Sequence, residues 1–244
     1  VARVRLDRLV AERGLARSRA RARDAILRGT VSVDGRVVRD PGAAVDPEAR
    51  VVVDDPAAAW VSRAALKLVA GLDAFGIDVE GRHALDIGAS TGGFTEVLVA
   101  RGAASVTAID VGHGQLDPRI IGDPRVTAIE GLNARDLTAS HLPRAPEVIV
   151  CDVSFISLTL ALPPALVLSA PGAGLVALVK PQFEVGREGV GKGGIVDDAA
   201  GHEAATRIRS WLDGRSGFRV LGLVPSPVTG GDGNQEYLIG ARRD

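Results

Sequence analysis

Apolar residues recur along this chain in two different rhythms. In the first 54 residues they are sparse. Leu6, Leu9 and Val10 return at helical spacing until Gly14. Ser18 is placed to cap a second helix that runs to Arg28 and closes at Gly29. Val31 and Val33 then alternate with polar residues, Asp34-Gly35 marks a tight hairpin turn, and Val37 and Val38 continue beyond it. Residues 51–53 read as a further strand. The pattern predicts a small α+β domain over residues 1–55, a connector over 56–62 and a larger domain over 63–244.

From residue 63 the rhythm is that of alternating strands and helices. A helix is expected at 63–75. Apolar strands follow at 84–87, 105–109, 126–129, 148–151, 175–179, 218–224 and 237–241, with helices at 94–101, 158–168 and 202–212. This predicts an α/β, Rossmann-like fold: a parallel, doubly wound sheet with helices on both faces. Active sites in such sheets lie beyond the carboxyl ends of the strands. Residues 153–179 carry no charge, as a membrane segment would. Pro163-Pro164 and Pro171-Gly172 break them into short pieces, so a buried helix and a buried strand are expected, with no membrane partner.

Composition narrows the class. Of 244 residues, 46% are hydrophobic, which excludes a disordered chain. Cys151 is the single cysteine, so neither a disulfide framework nor a Cys-rich zinc site is possible. His83, His113, His141 and His202 show no ligand spacing, and no metal is expected. The N-terminal residues are too charged for a signal peptide, so a cytoplasmic location is expected.

The net charge of −1 hides an uneven distribution: the first 40 residues hold 11 Arg against 5 acids. Arg17, Arg19, Arg21, Arg23 and Arg28 crowd one short helix and its entry. Arginine binds phosphate through paired hydrogen bonds. Arg5, Arg17, Arg19, Arg21 and Arg23 are therefore candidate RNA contacts, the alternative being a solvated helix face. Lysines number three: Lys67, Lys180 and Lys192. A chain that otherwise uses arginine keeps lysine where a compact, tunable donor is needed.

The first strand of the larger domain leads into Asp86-Ile87-Gly88-Ala89-Ser90-Thr91-Gly92-Gly93-Phe94. A Gly-x-Gly-x-x-Gly dinucleotide turn is not matched. Gly88-Ala89-Ser90-Thr91-Gly92 fits a nucleophile elbow, which would make Ser90 the nucleophile of a hydrolase with His141 or His202. The third reading is an S-adenosylmethionine loop, with Asp86, Gly88, Ser90, Gly92, Gly93 and Phe94 as cofactor contacts.

Position favours the third reading. A nucleophile elbow follows several strands, whereas this turn follows the first. The second strand ends at Asp110, suited to two ribose hydroxyls. Asn133 follows the third and is suited to a base edge, and Asp152 follows the fourth. Lys180 ends the next apolar strand, Glu236 opens the last, and Lys67 lies on the preceding helix. These four charges are expected in one cleft, where structural salt bridges are the competing explanation.

Lys67, Asp152, Lys180 and Glu236 match the Lys-Asp-Lys-Glu tetrad of FtsJ-type RNA ribose 2′-O-methyltransferases. The glycine turn through Thr95, Asp152-Val153-Ser154-Phe155-Ile156-Ser157 and Lys180-Pro181-Gln182-Phe183-Glu184 resemble the TlyA family of ribosomal RNA methyltransferases in particular. The N-terminal block resembles that family's S-four-type RNA-binding domain. Ala59-Trp60-Val61 resembles its interdomain linker, with Ala58 where the family usually has arginine. The resemblance implies S-adenosyl-L-methionine as cofactor, ribosomal RNA or ribosomal subunits as partner, a monomer, and the tetrad as the catalytic set with Lys180 at the 2′-oxygen.

Asp152 is also expected beside the methyl group. Arg63, Arg187 and Lys192 are further candidate RNA contacts, the last two in a glycine-rich loop over 183–198 that reads as a lid. Phe155 is expected either to stack on a flipped base or to pack in the core. The competing functions are an RNA-binding protein with an inactive transferase domain, the Ser90 hydrolase, and a membrane-active haemolysin, a name the family often carries.

Overall fold

A computed structural model describes residues 2–244, the side chain of Arg187 excepted. The chain divides into two compact units, Val1–Ala59 and Trp60–Asp244.

The first unit opens with a short strand β1 (Val4–Arg5), followed by α1 (Leu6–Glu12) and α2 (Arg19–Arg28). Ser18 Oγ accepts a hydrogen bond from the Arg21 amide, and Gly29 closes α2 at φ 76°. Such an N-cap is worth about 1 kcal/mol. Strands β2 (Val31–Val33) and β3 (Arg36–Val37) form the hairpin, with Asp34 and Gly35 both at positive φ as its tight turn requires. The strand β4 (Ala44–Val45) pairs antiparallel with β1, and β5 (Val51–Val53) pairs with β2. The two-residue strands β1 and β4 are too short to leave a periodic trace in the sequence. Leu6, Val10, Ala22, Ala25, Ile26 and Val31 make this unit's core. Pro56–Ala59 form a 3-10 turn with Ala57 buried, and the Asp55 carboxylate takes both Arg28 NH groups at 2.7 and 2.8 Å.

The second unit contains α3 (Ala64–Phe75), β6 (His83–Ile87), α4 (Gly93–Ala100), β7 (Ser105–Asp110), α5 (Pro118–Ile121), β8 (Val126–Glu130), β9 (Val148–Cys151), α6 (Leu158–Ala161), α7 (Pro163–Leu168), β10 (Gly174–Val179), α8 (Asp198–Leu212), β11 (Phe218–Pro225) and β12 (Tyr237–Arg243). Its seven strands lie in the order β11-β12-β10-β9-β6-β7-β8. Alternate residues of each central strand feed opposite faces. Leu85, Ile149, Leu175 and Ala177 join α6, α7 and α8 on one side, while Val148, Val150, Val176 and Leu178 join α3 and α4 on the other. Burial on both faces makes these strands continuous apolar runs.

Two expectations are corrected. The sheet is not parallel throughout, because β12 runs antiparallel to β10 and β11 antiparallel to β12. The helix expected over 158–168 is two short helices, parted where Pro163 cannot supply an amide. No helix among the described residues is long and apolar enough to cross a membrane.

Helix α3 can lie close on β10 because Gly71 faces the sheet. A Cβ there would stand 2.6 Å from Val176 Cγ1. Gly71→Ala is therefore expected to destabilise the second unit by about 1–3 kcal/mol through overpacking. Urea denaturation followed by circular dichroism measures this.

Candidate active site

The strand order reverses between β6 and β9, and ligands in open α/β sheets bind at such a switch point. Ile87 and Cys151 are register partners, so Gly88 and Asp152 leave the sheet side by side. Gly88 has φ 82°, and a Cβ on it would stand 2.6 Å from the Asp152 carbonyl oxygen. Only glycine allows that approach.

A cavity of about 870 Å³ opens beyond these strand ends, with Gly88, Ser90, Asp110, Asn133, Asp152 and Phe183 in its wall. Asp110 accepts from the Ser90 amide through Oδ2 and from the Gly112 amide through Oδ1, both at 2.7 Å. Each oxygen keeps a second lone pair, so both can also accept from ribose hydroxyls. Asn133 Oδ1 caps its own turn, accepting from the Arg135 amide at 3.1 Å. Its amide nitrogen is the group left for a base edge. The glycine turn, the strand-end acid and the volume together fit a nucleoside-bearing group.

A second cavity, of about 270 Å³, shares Gly88, Ser90, Asp152 and Ser154 with the first and adds Arg63, Lys67, Phe94 and Lys180. Lys180 Nζ lies 2.7 Å from Asp152 Oδ1 and donates to Ser154 Oγ at 2.8 Å. Lys67 Nζ donates to Glu236 Oε2 at 2.5 Å, with both side chains almost fully buried. The antiparallel β12 explains how Glu236 arrives here. Tyr237 is the register partner of Val179, so the residue before β12 stands at the same sheet end as Lys180. The four charged residues form two lysine–acid pairs, and both lysines reach one pocket.

Two sequence motifs meet in this wall. Residues 152–157 and 180–184 are linked by the Lys180 contacts, by the Phe155 and Phe183 rings at 5.1 Å, and by Glu184. The Glu184 carboxylate accepts from Ser157 Oγ at 2.6 Å and from the Leu158 amide at 2.8 Å, and burial raises its pKa. Phe155 is 91% exposed at φ 65° and is not a core residue. Asn234 ties down the end of the glycine-rich loop, accepting from the Val196 amide and donating to the Gly194 carbonyl, both at 2.8 Å. Lys192 is exposed in that loop. The Arg187 side chain lies outside the described residues. Ser154, Glu184 and Asn234 were absent from the sequence candidates. Ser154 and Glu184 lie within the two family-like motifs, but the contact each makes is visible only in the fold.

Several expected contacts differ in place. Asp86 is fully buried and does not reach either cavity. It accepts from Thr95 Oγ1 at 2.6 Å, while its Oδ1 has no hydrogen-bond partner among the described residues. Burial, with help from the charge of Asp152, pushes its pKa up to about 7. Its role is to hold α4 beneath the turn. Gly92 packs against Leu116 and Ile120, whereas Gly93 lines the second cavity beside Ser62. Ser90 has the positive φ of a nucleophile elbow, but its hydroxyl meets Gln115 Oε1 at 3.3 Å. His141 is bound to Thr138 and the His202 ring rests on Tyr237, so neither serves Ser90 as a base. Burial pushes the Cys151 thiol up, which makes it inert.

In the first unit the candidate arginines divide. Arg17 and Arg23 are exposed without a protein partner among the described residues. Arg21 donates to the Ala57 carbonyl at 2.7 Å. Arg5 and Arg19 both contact the Asp7 carboxylate.

Comparison with known proteins shows the family of each part of the chain. Residues 60–243 match the FtsJ-like methyltransferase family and residues 4–51 match the S4 domain. The chain is 47% identical to the 16S/23S rRNA (cytidine-2′-O)-methyltransferase TlyA of Mycobacterium tuberculosis, over 98% of this chain and 90% of that protein. It is 41% identical to Hemolysin A of Brachyspira hyodysenteriae, over 96% of this chain and 98% of the other. A solved structure from Streptococcus thermophilus, provisionally named a hemolysin, superposes with a TM-score of 0.76 at 37% identity, covering 99% of this chain and 89% of that one.

The buried Asp86 makes stability depend on pH. The folded chain keeps its proton up to about pH 7, whereas an unfolded aspartate releases it near 3.8. Stability contributed by this group is therefore lost as pH rises through that window, by up to ~1.4 kcal/mol per pH unit. Asp86→Asn stays neutral and keeps the Thr95 contact. Its stability relative to the wild type is expected to improve steadily from pH 4 to pH 7 in denaturant titrations. A difference independent of pH refutes the assignment.

Proposed function

Because the chain belongs to the FtsJ-like methyltransferase family, and within it to the TlyA proteins, we propose that it methylates the ribose 2′-oxygen of a cytidine in ribosomal RNA. S-adenosyl-L-methionine is the methyl donor, and the substrate is a ribosomal subunit or its RNA in the cytoplasm. The observation that carries this reading is the meeting of two lysine–acid pairs in a pocket that opens from the nucleoside cleft.

The bound cofactor supplies an electrophilic methyl group. Asp110, Asn133 and the turn at Gly88 and Ser90 would hold it, with Asp86 and Thr95 supporting the turn from below. The remaining work falls to the protein's side chains. A ribose hydroxyl is a weak nucleophile, so it must be aligned and its developing negative charge stabilised.

Lys180 has three N–H groups. One is spent on Ser154 and one side faces Asp152, which leaves a donor for the 2′-oxygen. Its positive charge favours the oxygen as the hydroxyl proton passes to the Asp152 carboxylate, which lines the same pocket. Lys67, fixed by Glu236, lines the same pocket and orients the ribose. Phe155 offers an exposed face, backed by Phe183, on which an extruded base can stack. The arginine-rich S4 domain supplies the grip on RNA phosphates.

The test is methyl transfer from labelled S-adenosylmethionine to purified subunits, followed by nucleoside mass spectrometry. The expected product is 2′-O-methylcytidine. Absence of transfer to either subunit overturns the reading in favour of an inactive transferase. Lys180→Ala and Lys180→Arg are expected to lower kcat by about 100-fold or more, as removal of an oxyanion donor does. Phe155→Ala is expected to raise KM for the subunit by about tenfold, the worth of one stacked base, in initial rates measured at saturating S-adenosylmethionine.

A further inference from the structure

Asp7 is an acid in the middle of a basic surface. It lies in the first turn of α1 and is only 3% exposed. Its backbone amide donates to the Pro41 carbonyl, which fixes its position. Arg5 approaches with a two-pronged contact, Nε to Oδ1 at 3.2 Å and NH2 to Oδ2 at 3.0 Å. Arg19, the first residue of α2, places its NH2 3.2 Å from the same Oδ2. Both arginine side chains are more than half exposed. Asp40, an exposed acid that caps the Gly42 amide, adds a weaker attraction to Arg5.

Two guanidiniums brought to one oxygen would repel each other if the carboxylate between them were absent. With it, they sit as neighbours in fixed orientation. Arg5 spends two of its five N–H groups on Asp7, and Arg19 spends one. The remaining donors of both belong to side chains that stay more than half exposed, while the carboxylate beneath them is barely reached by water. A planar, oriented array of N–H groups on two adjacent arginines matches the tetrahedral oxygens of one phosphodiester. Flexible arginines would lose side-chain freedom on binding, and a prepaid orientation removes that cost.

We propose that Asp7 is a positioning residue for RNA recognition: it builds Arg5 and Arg19 into a single clamp for one backbone phosphate. The inference rests on the RNA-modifying function proposed above and makes a prediction opposite to simple electrostatics. Removing a negative charge from a basic surface should strengthen binding to any RNA. Removing Asp7 instead releases the two arginines and weakens recognition of the true substrate.

The experiment titrates the full chain with intact large ribosomal subunits and, separately, with polyuridylate. Asp7→Asn keeps size and removes charge. It is expected to weaken subunit binding at least tenfold and to raise KM for methylation, with kcat retained, while polyuridylate binding stays the same or tightens. The double variant Arg5→Lys, Arg19→Lys keeps the charge and Asp7 but loses the fork geometry. It is expected to show the same loss on subunits, and it tests the clamp even if Asp7→Asn does not fold. Subunit binding that is unchanged or tighter in Asp7→Asn overturns the clamp, as does a double variant that binds subunits like the wild type. Failure of the unaltered chain to bind subunits at all refutes the proposed function instead.

Discussion

The close approach of Gly88 to the Asp152 carbonyl is the constraint on which the site depends. Two parallel strands end side by side, and the chains leaving them must part at once. One turns into the cofactor loop, and the other into the acid and the serine that hold Lys180. A side chain at position 88 would force the two apart and move Asp152 away from Lys180. Backbone packing, rather than attraction between charges, thus brings the two walls of the proposed site together.

The charge pairs are expensive within this framework. Lys67 and Glu236 are taken almost wholly out of water, a cost that ion pairing repays poorly. A pair of apolar side chains would serve stability at least as well. The pair makes sense as a means of fixing an ammonium group in a pocket. Lys180 is treated differently. It keeps a route to the pocket, and its partners hold it from one side only.

Much of this was legible in the sequence. Strand-end positions of Asp110, Asp152 and Lys180 follow from apolar runs, because residues just past a buried strand must surface at the cleft. Glu236 was assigned to the cleft without the reason, which is the reversed direction of β12. Periodicity does not encode strand direction. Asp86 looked like a cofactor contact because it precedes the glycine turn, yet strand alternation turns its side chain into the protein. The aromatic character of Phe155 left core and surface equally open, and only its backbone conformation places it outside. The sequence shows the arginines only as a crowd on one short helix and its entry. The buried Asp7 that organises two of them looks, in sequence, like any acid at the start of a helix.

The pairing of each site lysine with its own acid has a further consequence. Two lysines and two acids at the site sum to zero formal charge, so the site offers local dipoles and no long-range attraction. The arginine-rich first unit does the opposite, with excess charge reaching out to a polyanion. Capture and chemistry therefore answer differently to ionic strength. Added electrolyte competes with the release of counterions that drives capture, while the short, partly buried contacts around Lys180 are little screened. The molecule separates finding its RNA from modifying it, and the division follows the way each part handles charge.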